Sequence, residues 1–183
     1  MDIFLVRHGE AAAAWGQDPD PGLSALGGRQ AVAAADNLLP RLAANVKLVS
    51  SPLKRAQETA SPLSASLGLP VSINEAFCEI PAPVPLADRQ TWLRSFMAQR
   101  WSEQPAEILQ WRDAAMEQLL SLAAPTVIFS HFLVLNAVVG TISGHADTLY
   151  FWPDNASITH LKMRSDGTLA LAELGEQMET VVN

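Results

Sequence analysis

The sequence predicts an α/β fold: a three-layer α/β/α sandwich whose sheet is mostly parallel and carries an antiparallel edge strand. Three observations predict it. Short apolar runs, Ile3 to Val6, Val46 to Val49 and Thr126 to Phe129, read as strands buried on both faces, where polar and apolar residues need not alternate. Longer segments with helical spacing of apolar residues separate these runs. Near the C-terminal end, SITHLKM and TLALAEL flank Ser165-Asp166-Gly167, a hairpin signal that adds antiparallel pairing.

The elements follow in order. WGQDPDPGLSALGG is rich in Gly, Pro and Asp and predicts a loop entering a helix. Ser24 is suited to cap that helix, with Val32, Ala35 and Leu39 on one face and Pro40 as its end. After the second strand comes SSPLKRAQETASPLSASLG. Here Ser51 as N-cap and Pro52 at the first helical position predict a helix start. Ala56, Ala60, Leu63 and Leu67 share a face, with Pro62 a disturbance in the middle. Val71 to Ile73 form a minor third strand. Residues 81–105 have a stiff proline entry, a helix and a proline exit. The next helix turns Leu109, Met116 and Leu119 or Leu120 inward. Phe132 to Ile142 are apolar all round, as a helix inside the core would be.

At 183 residues the chain is expected to form one domain, 1–183, in which residues 81–122 are a helical insertion able to act as a lid. Its 49% hydrophobic and 17% charged residues are an ordinary globular balance. A net charge of −7 speaks against a nucleic-acid partner, whose binders carry a basic face. Cys78 is the single cysteine, so no disulfide framework within the chain exists. The start, MDIFLVRHGE, has no basic segment followed by a long apolar one, and FLVLNAVVGTI is about half the roughly 20 residues of a membrane span. The expectation is a cytoplasmic protein with no membrane partner; its oligomeric state is open.

Three strand ends carry polar chemistry. The first ends on Arg7-His8-Gly9, the second runs into the helix bearing Arg55, and TVIF ends on Ser130-His131. In open α/β sheets, ligands bind beyond the carboxyl ends of the strands, where helix N-termini offer free N–H groups and partial positive charge. Two arginines and two histidines at that rim form an anion pocket suited to a phosphoryl group, since the planar guanidinium matches its oxygens bidentately. One neutral histidine can attack phosphorus while the other holds developing negative charge.

RHGE at 7–10, SSPLKRAQETA at 50–60 and SH at 130–131 resemble the histidine phosphatase superfamily, with its phosphoglycerate-mutase-like fold, in order and spacing over nearly the whole chain. The resemblance implies that His8 attacks phosphorus and carries a phosphohistidine intermediate. It also implies that Arg7, Arg55 and His131 bind the phosphoryl oxygens. Glu79, in NEAFCEIPAP, best matches the family's acid, which protonates the leaving oxygen and must therefore have a raised pKa. Glu75 and Asp88 are the alternatives. Neither a metal nor a cofactor is expected, because the positive charge of the pocket comes from protein and no Asp/His cluster has ligand spacing. The implied function is a metal-independent phosphatase acting on a small phosphorylated metabolite.

The sequence departs from the family at three places. Ala14 stands where many relatives have Asn or Ser, Phe132-Leu133 replace two glycines after His131, and the glycines and second carboxylate that follow the acid are missing after Glu79. Trp92 and Phe96 have two readings, as a wall for an apolar leaving group or as pins holding helices to the core. Arg89, Arg94 and Arg100 either meet a second anionic group or form a solvated face. Glu10 orients the nucleophile loop, Asn155 and Ser157 lie near the pocket, and His145 and His160 have no assigned partner. The competing functions are a phosphohistidine phosphatase acting on proteins and an inactive module that binds phosphorylated ligands. A mutase is disfavoured because further basic substrate-binding motifs are absent.

Overall fold

A computed structural model describes residues 1–13 and 18–178. Its sheet has six strands: β1 (Asp2–Arg7), β2 (Lys47–Ser50), β3 (Val71–Ile73), β4 (Thr126–Ser130), β5 (Ile158–Met163) and β6 (Leu169–Glu173), in the order β3-β2-β4-β1-β5-β6. The first four are parallel to one another, and β5 and β6 continue the sheet antiparallel on the β1 side. Strand β1 is central, with Ile3 opposite Thr126 and Arg7 opposite Ser130.

Both faces of β1 are covered, which explains its unbroken apolar run. Phe4 and Val6 join a core with α1 (Ala25–Leu38) and α2 (Lys54–Leu67), built on Ala35, Leu38, Ala60 and Leu63. Ile3 and Leu5 face the opposite core, with Ala115 and Leu119 of α4 (Ala106–Leu120) and Val134, Leu135 and Val138 of α5 (Phe132–Ile142). A third cluster joins α3 (Arg89–Phe96) to α5 through Leu93, Phe96, Trp101 and Phe132. Residues 81–122 therefore divide: α4 is a layer of the sandwich, and 81–105 lie beside it over the third cluster. Among the described residues no helix is long and apolar enough to cross a membrane.

Local details correct several expectations. Ser24 does cap α1, accepting from Gly27 N–H at 3.0 Å, and the helix passes into a 3-10 turn at Leu39–Arg41 around Pro40. The buried face of α1, however, is Ala31, Ala34, Ala35 and Leu38, while Val32 is exposed. The second helix begins at Lys54, with Leu53 at its cap position, two residues later than the Ser51-Pro52 signal. Ser51 is occupied elsewhere, against His131. Helix α2 runs on through Pro62, and of the two leucines that could turn α4 inward, Leu119 is buried and Leu120 exposed.

Candidate active site

The site is built where β1 and β4 end side by side. His8 N–H donates to the Ser130 carbonyl at 2.9 Å, one step beyond the paired strands, which holds His8 next to His131. Their ring centroids are 5.3 Å apart. The following residue must be glycine: a Cβ on Gly9 would stand 2.6 Å from the Gly27 carbonyl oxygen of α1. Gly9 N–H donates to Thr59 Oγ1 at 3.0 Å, and that hydroxyl donates to the Arg55 carbonyl at 2.6 Å. Glu10 orients the loop, its carboxylate accepting from Ser24 Oγ at 2.6 Å.

The hydrogen bonds of His8 define its tautomer. Nδ1 lies 2.6 Å from the Gly9 carbonyl, which can only accept, so Nδ1 carries the proton. Nε2 is then the lone pair, and Arg55 Nε–H donates to it at 3.2 Å. Burial, then the charges of Arg55 and Arg7, lower the pKa of His8 to about 3. His131 is fully buried, and burial first, then His8 and Arg55, hold it well below the ordinary histidine value. Both rings are neutral at physiological pH. His131 Nε2 lies 2.7 Å from Ser51 Oγ, while its Nδ1 is buried without a protein partner among the described residues.

The arginines are held from behind. Arg7 donates to the Pro153 carbonyl at 2.8 Å and its guanidinium lies 5.3 Å from the centroid of the Phe132 ring; burial lowers its pKa to about 10, which leaves it charged. Arg55 is the second residue of α2, and burial lowers its pKa too. Asp20 accepts from the Lys54 N–H at 2.9 Å and lies 4.0 Å from Arg55, so one carboxylate anchors both the helix start and the guanidinium.

Glu79 is buried beside these cations. Its oxygens accept from Ile80 N–H at 3.0 Å and from Leu133 N–H, in the first turn of α5, at 3.4 Å. Burial raises its pKa against the opposing pull of those N–H groups and of Arg55. Glu79 lines the same cleft as His8 and Arg55, whereas the alternatives Glu75 and Asp88 are exposed and do not line it.

The cleft is further lined by Ala11, Ala13, Asp18, Pro19 and Pro21 from the segment after the first strand, and by Leu86, Arg89 and Leu93 from the segment around α3. Trp92 and Phe96 do not line it. They stack on each other at 5.4 Å, and Phe96, 1% exposed, meets Trp101 edge-on. The cause is helical spacing: Arg89 and Leu93 occupy one stripe of α3, Trp92 and Phe96 the next. Of the three arginines in this region, Arg89 reaches the cleft, Arg94 is exposed and Arg100 lies 3.5 Å from Asp147. Ala14 lies outside the described residues.

The remaining candidates resolve as supports. Ala156 N–H donates to the His8 carbonyl, and Ser157 accepts from Arg7 N–H through its own carbonyl, so the Asn155–Ser157 stretch backs the end of β1 that carries Arg7 and His8. His160 pairs with Asp2 at 2.8 Å and stacks on Phe4. Cys78 is half-buried, and burial raises its thiol pKa. Thr59, Asp20 and the bonding role of Ser51 emerge only in the fold. Thr59 and Ser51 sit in the 50–60 segment, and that is the one signal they offered.

Comparison with known proteins agrees with this geometry. An uncharacterized protein of Mycobacterium tuberculosis is 41% identical over 81 residues, which cover 42% of this chain and 39% of that protein. The match thus spans about two fifths of the length of that curated relative. A mycobacterial glucosyl-3-phosphoglycerate phosphatase superposes with a TM-score of 0.76 at 22% identity, covering 97% of this chain and 99% of that one. A phosphoserine phosphatase from Entamoeba histolytica, in complex with 3-phosphoglyceric acid, gives 0.75 at 21% identity over 96% and 97% of the two chains. YhfR of Bacillus stearothermophilus gives 0.79 at 20% over 97% and 98%. These likenesses show a shared fold. The model of the histidine phosphatase superfamily (branch 1) matches residues 3–174, which takes in all three strand ends, and the chain belongs to that superfamily.

Proposed function

We propose that the chain is a phosphoric monoester hydrolase that releases phosphate from a small phosphorylated metabolite through a phosphohistidine on His8, without a metal. The observation that carries this reading is the state of His8. Its proton is on Nδ1 against the Gly9 carbonyl, and its Nε2 lone pair lies among arginines. A neutral imidazole of that tautomer, facing an anion pocket, is a nucleophile for phosphorus.

The steps balance on the residues at hand. Arg7, Arg55 and His131 hold the phosphoryl oxygens. His8 Nε2 forms the N–P bond while the P–O bond to the leaving group breaks. Glu79, whose pKa burial raises, gives its proton to the leaving oxygen. The resulting carboxylate then takes a proton from water as the water oxygen attacks phosphorus. The N–P bond breaks, phosphate departs, and both His8 and Glu79 return to their starting forms. The ring gains positive charge while phosphorylated, and the Gly9 carbonyl at Nδ1–H stabilises it there.

A compact substrate suits a cleft whose lining beyond the phosphoryl pocket is mostly apolar, with Asp18 and Arg89 as its charged members, and with residues 81–105 beside it as a lid. The phosphatases named for glucosyl-3-phosphoglycerate and phosphoserine support the same substrate class. Phosphate release from a panel of phosphomonoesters and a phosphohistidine peptide, in a chelator, tests the reading on wild type and His8→Ala. We expect turnover of small esters that survives the chelator and vanishes in the variant. Turnover that needs metal or persists without His8 overturns the mechanism, and turnover of the peptide alone overturns the substrate class.

A further inference from the structure

Ser51 stands two residues before the cap of α2 and takes no part in the proposed proton and phosphoryl transfers. It is fully buried, and its hydroxyl lies 2.7 Å from Nε2 of His131. Two hydrogen arrangements fit that distance. Either His131 carries its proton on Nε2 and Ser51 accepts, or Ser51 donates and His131 carries its proton on Nδ1. The consequences differ at the far edge of the ring, because Nδ1 is buried and meets no protein group among the described residues. In the first arrangement a lone pair is left there. In the second an N–H is left there, free to donate to an anion.

The surroundings of Ser51 decide between them. Its oxygen already accepts from Leu53 N–H at 3.3 Å, so part of its acceptor capacity is taken while its own proton still needs an acceptor. An imidazole nitrogen is a far better acceptor than a thiol sulfur such as that of Cys78 nearby. A separation of 2.7 Å is also at the short end for N–H donation to oxygen. We infer that Ser51 is a positioning residue that donates its hydroxyl proton to Nε2 of His131 and so holds that neutral ring with an N–H at Nδ1, directed to a phosphoryl oxygen.

This inference rests on the reading that His131 binds the phosphoryl group. It adds how a neutral histidine, kept uncharged by burial and by the cations around it, can serve a dianion as a donor. Those neighbours are His8 and Arg7 from β1 and its end, Arg55 from α2 and Arg89 from α3, each of which opposes a proton on His131. The carboxyl nearest in the chain's bonding is Glu79, which accepts from Leu133 N–H two residues beyond His131, and the Cys78 thiol lies near Ser51. A fixed Nδ1–H tautomer supplies the donor with no proton taken up.

The test uses the whole chain with ¹⁵N-labelled histidine and orthovanadate as the anion. In the wild type without anion, the ¹⁵N shifts of His131 should report a protonated Nδ1 and an unprotonated Nε2. Vanadate affinity should then change little between pH 6 and 8 beyond the titration of vanadate itself. Ser51→Ala should mix the tautomers and weaken vanadate binding by roughly tenfold at pH 8, the scale of one hydrogen bond to a charged group. That loss should shrink toward pH 6, because binding would now bring a proton onto the ring. Ser51→Thr keeps the hydroxyl and should restore the wild-type tautomer and pH profile. A wild-type ring protonated on Nε2, or a Ser51→Ala loss equal at both pH values, overturns the inference. Vanadate binding that is unaffected in His131→Ala overturns the underlying reading instead, and the two failures are distinct.

Discussion

Arg55 donates its Nε–H to Nε2 of His8 at 3.2 Å, so the lone pair that the proposed mechanism uses against phosphorus rests on a cation. This contact opposes protonation of His8, and under the proposed mechanism the guanidinium turns to the phosphoryl oxygens once the anion enters. Arg55→Ala should lower kcat/KM by about 10²- to 10³-fold, the scale for losing one preorganised donor. It should also raise the His8 pKa from about 3 toward the ordinary histidine value, readable by NMR titration. Arg55→Lys should keep part of the pKa effect and little of the rate, because an ammonium lacks the planar fork.

Glu79→Gln separates acid catalysis from nucleophilic attack. Poor alkyl leaving groups should lose about 10²- to 10⁴-fold in kcat, the range for a positioned proton donor. A nitrophenyl ester, whose leaving group needs no proton, should lose less than about tenfold. An equal loss for both classes would move the proton donor to another group.

Stability should fall on acidification. His8 titrates near 6.5 in the unfolded chain and at about 3 in the fold, and His131 is depressed as well. Between those values the unfolded state binds more protons, so stability is complete above about pH 6.5 and is lost as pH falls. The slope approaches about 1.4 kcal/mol per pH unit for each such histidine. Glu79 acts with the opposite sign: its raised pKa means the fold holds a proton the unfolded chain has lost, which favours the fold more as pH falls toward 4.5. Two histidines against one carboxyl leave a net decline. Urea unfolding at pH 7.5 and 5.5 checks it, and His8→Gln should flatten the curve.

Thr59 joins the nucleophile loop to the Arg55 helix through two hydrogen bonds. Thr59→Val keeps the shape and strands Gly9 N–H, at a cost of about 1–3 kcal/mol. The same variant should lower kcat more than it raises KM, because it displaces His8. Thr59→Ser should recover both.

Phe96→Ala should cost about 3–5 kcal/mol of stability, as expected for truncating a buried aromatic. The folded fraction should keep its substrate preferences, since Phe96 lies outside the cleft. Arg89→Ala should do the reverse, changing the ranking of substrates with little change in the unfolding midpoint.

The residues at the strand ends were legible because each is local: a strand, then Arg-His-Gly or Ser-His, reads from neighbours in the chain. The buried apolar runs likewise read as strands covered on both faces, and β1 divides its residues between two cores as such a strand must. What could not be read was bonding across the fold. Ser51 has every chemical quality of an N-cap, and only the fold reveals that His131, 80 residues away, claims its hydroxyl. Thr59 meets Gly9 across 50 residues. Trp92 and Phe96 are large enough to wall a cleft, yet on α3 they stack on each other while Leu93 and Arg89 line it.

The contact of Gly9 with Gly27 has a consequence for motion. Two backbones meet there with no side chain between them, and Ser24 donates twice across the same seam to Glu10, from its N–H to the carbonyl and from its hydroxyl to the carboxylate. The nucleophile loop therefore cannot open while the first turn of α1 stays closed. Amide protons of Gly9, Ser24 and Gly28 should exchange with solvent through one shared opening, at one common free energy. The seam makes a surface helix part of the clock that limits how long His8 stays in place.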